Sequence, residues 1–255
     1  MAEFFNSWQL KMEELEEILS KLLKDILSLP ERPMQLILLG KRLSSLPPGK
    51  IAGLLSALYT KDRSFSHALK SLLVDPQGLK DMLGARKYRL TYLASIEMGF
   101  KKVSRLLTDL PPHKKGVRGY DKEEEAKMEF LSLGQRRALS KSPAKDTLDR
   151  LLSDPDPMVI QNILNNPRIT EKEAVRIASK RPNSPSVLKL LATHRKWATS
   201  YTVARAVVLN PYTPPRISVS LLELLLTQDL KLIARDRTLH PQVRMGANDL
   251  LEERK

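Results

Sequence analysis

From Phe4 to Leu29 the apolar side chains fall at Phe4, Trp8, Met12, Leu15, Ile18, Leu19, Leu22, Leu23, Ile26 and Leu27. Steps of three and four residues gather them on one face of an α-helix, and the Glu and Lys between them stay in water. Trp8 on that face is expected to pack within the protein. Proline then punctuates the pattern at LPERP, 29–33, and LPPGK, 46–50, because its ring removes an amide donor and restricts the preceding residue. The spacing predicts helices over 34–46 and 51–59, a third from near Ser66 to the DPQG at 75–78, and a longer amphipathic stretch from Tyr88 to Leu110. Residues 1–110 therefore read as a helical bundle.

PPHKKGVRGYDKEEEAK, 111–127, breaks the regularity with two Pro and two Gly and switches from basic to acidic. It reads as an exposed linker. A rival reading makes His113, Lys114, Lys115, Arg118 and Tyr120 a small anion- or nucleic-acid-binding loop.

Helical periodicity resumes over 128–255, broken at SDPDP, NNPRIT, RPNSP, LNPYTPP and LHP. VIQNILNNPRIT, 159–170, aligns with VARAVVLNPYTP, 203–214, and VLKLLATHRK, 187–196, with DLKLIARDRT, 229–238. Asn or Thr stops or caps a helix through its side chain, and Pro occupies a first turn without losing an intrahelical bond. Asn166, Pro167, Asn210 and Pro211 are therefore assigned to structural turns between packed helices. Asp154 and Asp156 read as turn or cap residues.

DPDPMVIQNILNNPRITEKEAVRIASKRP and VARAVVLNPYTPPRISVSLLELLLTQD resemble helical repeats of the leucine-rich-repeat-variant and HEAT-like type, most clearly over 143–253. That resemblance implies an all-α chain in which the amino-terminal bundle precedes a short α-solenoid, as in a bacterial repeat protein of unassigned role. It supplies no catalytic residue, since related solenoids bind different ligands.

Composition sharpens the picture in two ways. The chain has 43 Lys and Arg against 29 Asp and Glu, a formal charge of +14 spread over its length, which would attract nucleic acid, anionic lipid or an acidic protein face. It has no Cys, which excludes disulfides and thiolate metal sites. Neither a membrane-length apolar run nor a secretory start is present, since MAEFFNSWQLKMEELEEILSKLL carries acid where a signal would be basic and then apolar; cytoplasmic residence is expected. The same mixture of Glu and Lys argues against membrane attachment through this helix.

Candidate chemistry is sparse. His67, His113, His194 and His240 lie in separate segments without HExxH spacing, and no phosphate loop, dinucleotide fingerprint or nucleophile elbow occurs. No cofactor, metal or catalytic residue is assigned, and a noncatalytic role is expected. The strongest hint is a basic pattern at the repeat junctions. Matching positions of stacked units recur on one surface, so Arg168, Arg176, Arg195, Lys196, Arg205 and Arg235 are expected to form one stripe. Trp197 and Tyr201, four residues apart, would serve it as aromatic anchors, or fill the core instead. The sequence favours an adaptor or scaffold that binds an acidic protein partner, with DNA or RNA binding as the alternative.

Overall fold

The computed structural model describes residues 17–18, 20–22, 24–26, 28–60, 76–115 and 131–254. Trp8, His67, Arg118, Tyr120 and the helix expected from Ser66 lie outside them. All regular structure among the described residues is helical, with no strand, and no helix there is long and apolar enough to cross a membrane. They fall in two compact units, Met1–Thr108 and Asp109–Lys255.

In the first unit the regular helices are α1 (Arg32–Ser44), α2 (Pro48–Thr60), α3 (Pro76–Leu83), α4 (Ala85–Glu97) and α5 (Lys101–Leu106), preceded by helical residues between 17 and 26. Pro48 and Pro76 are first helical residues, so LPPGK and DPQG start helices as well as ending the pattern before them. Leu22, Ile26, Leu39, Leu43, Ile51, Leu54, Leu55, Val103 and Leu106 form the core. A Cβ on Gly40 would meet the Met82 sulfur at 2.2 Å, so the close approach of α1 and α3 requires glycine there.

The stretch expected from Tyr88 to Leu110 is interrupted. Gly99 takes φ 72°, the Phe100 N–H donates to Ser95 O at 2.8 Å and the Gly99 N–H to Ile96 O at 3.0 Å. This double closure around a left-handed glycine ends α4 after Glu97. The inward side of α4 carries Tyr88, Thr91 and Ser95, while Leu90, Leu93 and Ile96 are exposed. The buried hydroxyls are satisfied locally: Thr91 Oγ1 donates to Lys87 O, Ser95 Oγ to Tyr92 O and Tyr88 Oη to Leu107 O.

The second unit contains α6 (Leu133–Leu139), α7 (Lys145–Leu151), α8 (Pro157–Asn165), α9 (Glu171–Ser179), α10 (Pro185–Thr193), α11 (Tyr201–Val208), α12 (Pro215–Leu221), a 3-10 turn (Leu222–Leu224), α13 (Thr227–Arg235) and α14 (Pro241–Glu253). Proline opens α8, α10, α12 and α14. The buried positions Val159, Ile160, Ile163 and Leu164 of α8 return 28 residues later as Val187, Leu188, Leu191 and Ala192 of α10. Successive members of the set α6, α8, α10, α12 and α14 pack on one another, as α9 does on α11.

Past α8, α9, α10 and α11, side chains stitch the helix end to that of the helix two before it. Past α8, the Asn166 Nδ2 donates to Ser142 O at 3.0 Å beyond α6. Past α9, Lys180 Nζ donates to Ser153 O beyond α7. Past α10, Trp197 Nε1 donates to Leu164 O in α8 at 3.1 Å, and past α11, Asn210 Nδ2 donates to Ala178 O and Lys180 O at 2.7 and 2.9 Å. The last carbonyls of an α-helix have no intrahelical donor, so the bonds to Leu164 O and Ala178 O satisfy groups that burial would leave unpaired. The amino ends are capped within the turn. Asp156 accepts from the Met158 and Val159 amides, and Thr170 and Glu173 form a reciprocal box in which the Thr170 hydroxyl holds the Glu173 carboxyl down to about 2.

Candidate macromolecule-binding surface

Four residues close the carboxyl ends of their helices in the same way, Asn166, His194 and Asp236 at the cap and Asn210 one residue past it. Asn166, His194, Asn210 and Asp236 each accept the backbone N–H two residues on, from Arg168, Lys196, Tyr212 and Thr238 at 3.0, 3.1, 3.1 and 2.8 Å. Pro167 and Pro211 follow the two Asn and carry no competing N–H. The ring of His194 thus replaces the Asx side chain of its counterparts. Its spacing of 28 from Asn166 was the signal available in the sequence.

This geometry gives His194 and His240 a pH dependence. His194 Nδ1 accepts from Lys196 and its Nε2 meets Asn165 Oδ1 at 3.1 Å, while His240 Nδ1 accepts from the Gln242 N–H that opens α14. An acceptor nitrogen must be unprotonated. Burial, and then the Lys196 charge, holds His194 below its ordinary 6.5; burial and His113 do the same to His240. The folded state therefore binds fewer protons than the unfolded chain below that value, and stability is lost as pH falls from about 6.5 toward the lowered folded values. Scanning calorimetry from about pH 7.5 to about pH 5 should show a falling Tm. His194→Asn, which restores the side chain used at 166 and 210, should flatten part of that slope; an unchanged slope would count against the capping role of His194.

The basic residues expected to form one stripe occur in two structural settings. Arg168, Arg195 and Lys196 lie exposed in the junctions after α8 and α10. These junctions are tied together, since Lys196 Nζ donates to Ile169 O at 3.1 Å while lying 4.0 Å from the Trp197 ring centroid. The second group is on helix bodies: Lys172 and Arg176 on α9, Arg205 on α11, Lys231 and Arg235 on α13. All are exposed except Arg205, which is half-buried.

Buried Asp229 ties α13 to α11. The Tyr201 hydroxyl donates to one of its oxygens and Arg205 Nε to the other at 2.8 Å, and Tyr201 Oη accepts the Leu226 N–H. Burial raises the Asp229 pKa, but the Tyr201 hydroxyl and the Arg205 guanidinium outweigh it and hold the carboxyl below the usual range. Burial and Asp229 in turn push the Tyr201 phenol up.

Two proposed contacts need correction. Trp197 is 4 % exposed and its indole N–H donates to Leu164 O, so it belongs to the core. Tyr201 is half-buried with its hydroxyl committed to Asp229, which makes it a strut for α13. Of the linker, residues 116–127 lie outside the described residues, while the Lys114 N–H donates to Pro211 O at 3.0 Å and His113 meets His240 edge to face, ring centroids 6.5 Å apart. Among the described residues no three His, Asp or Glu side chains converge as a metal ion would require. No protein-family model, curated protein or solved structure matches the chain.

Proposed function

We propose that residues 128–255 form a short α-solenoid, joined through the linker to the amino-terminal bundle, and that the chain acts in the cytoplasm as a noncatalytic adaptor for an acidic protein segment. The observation that carries this reading is the charge asymmetry of neighbouring helices. The exposed sides of α9 and α13 present Lys172, Arg176, Lys231 and Arg235 against the one exposed carboxylate of Glu171, while half-buried Arg205 of α11 and buried Asp229 beside them pair with each other. Leu232, 58 % exposed between Lys231 and Arg235, offers an apolar contact inside the charged field. Cations around a small apolar anchor suit an acidic peptide with interspersed leucines.

Nucleic acid is the rival ligand for the same charge. Burial of Trp197 and engagement of Tyr201 remove the aromatic rings on which a base would stack, which favours protein over nucleic acid. Fluorescence anisotropy with a labelled Glu- and Leu-containing peptide, duplex DNA, single-stranded DNA and RNA separates the two near physiological ionic strength. The peptide should bind more tightly than the oligonucleotides. Reversing Arg176, Lys231 and Arg235 to Glu should weaken it roughly tenfold or more without changing helical content. Tighter, salt-resistant binding of one oligonucleotide would move the assignment to nucleic acid.

A further inference from the structure

The solvent side of α4 carries Arg86, Leu90, Leu93 and Glu97, spaced i, i+4, i+7 and i+11, which sets them in one stripe along the helix. Leu90 is 44 % and Leu93 43 % exposed, while Thr91 and Ser95 occupy the buried side. Two further features mark the stripe. Arg86 sits in the first turn and Glu97 is the last helical residue, each at the pole of the helix dipole that repels its charge. Neither has an ion-pair partner among the described residues. The helix thus leaves two leucines in water and two charges against its own dipole.

An antiparallel copy of the same helix relieves all of this. With a two-fold axis passing between Thr91 and Tyr92, Arg86 of each copy faces Glu97 of the other, and Leu90 of each faces Leu93 of the other. Each Arg then lies beside the negative pole of the facing helix, and the two dipoles oppose. The order cation, leucine, leucine, anion is complementary to its own reversal, which is what a two-fold interface between identical chains demands. We propose that α4 is a self-association surface and that its partner is a second copy of this chain. The contact is short, since α4 has 13 residues, so the dimer is weak and reversible.

Sedimentation equilibrium of the full-length protein over about 1 to 500 µM tests this, that range covering weak interfaces. The wild type is expected to associate reversibly to two chains, and Leu93→Glu to remain monomeric. Arg86→Glu or Glu97→Arg alone should raise the dissociation constant roughly tenfold or more. Combining both in one chain, or mixing the two single variants, should restore pairing because each cation again faces an anion. A wild type that stays monomeric throughout, single reversals without effect, or a double reversal that fails to re-associate although its circular dichroism matches wild type would each overturn the proposal.

Discussion

Replacing Trp197 by Ala is expected to destabilise the second unit by about 4 kcal/mol, within the usual cost of deleting a large buried aromatic. The indole is 4 % exposed, carries Lys196 over its face and donates to Leu164 O, so the variant loses packing, a cation contact and a hydrogen bond together. Trp197→Phe separates these contributions. It keeps most of the ring volume but strands the Leu164 carbonyl, and should cost about 1–2 kcal/mol. Urea unfolding of the full-length chain measures both, with Trp8 changed to Phe so that emission reports Trp197 alone. A blue-shifted native spectrum and an Ala midpoint well below the Phe midpoint are expected. A water-like spectrum, or an Ala variant as stable as wild type, would place the ring outside the core.

Asn210→Ala should cost about 3 kcal/mol and lower the Tm by roughly 6–12 °C. The amide group of Asn210 donates to Ala178 O and Lys180 O and accepts the Tyr212 N–H, so truncation unpairs three backbone groups at a buried site. Asn210→Asp is the sharper variant. It preserves the acceptor for Tyr212 but turns the two donor contacts into oxygen facing oxygen, and should be no more stable than Ala. Asn166→Ala makes the comparison, since Asn166 is only half-buried and donates to a single carbonyl, Ser142 O. Its loss should be smaller, and equal losses at 166 and 210 would contradict the graded burial.

Much of the architecture is legible in the sequence, and the residues show why. Helices follow from apolar steps of three and four, and the proline that opens α8, α10, α12 and α14 marks their first turns through a missing amide that a first turn does not use. The Asn-Pro pairs announced helix ends for a similar reason, because the short amide side chain closes a turn onto its own backbone. The candidate surface was less legible. The sequence pattern did not separate Arg168, Arg195 and Lys196, which stand in junctions, from Arg176, Arg205 and Arg235, which stand on helix bodies. Periodicity orients a side chain around its own helix and says nothing about which neighbour lies beside it. Asp229 was passed over for that reason, its partners Tyr201 and Arg205 being 28 and 24 residues away.

The sequence alone determined what local chemistry controls: the helical class, the main breaks, the junction residues and the sign of the charge. Only the tertiary structure decided which apolar residues are inside. In α4 it turned Thr91 and Ser95 inward and left Leu90 and Leu93 outside, and past α10 it sent the Trp197 indole 33 residues back along the chain to a helix end that had no donor of its own. Both outcomes depend on groups brought together by packing, where the requirement that buried polar atoms find partners overrides the preference any single residue expresses along its own helix.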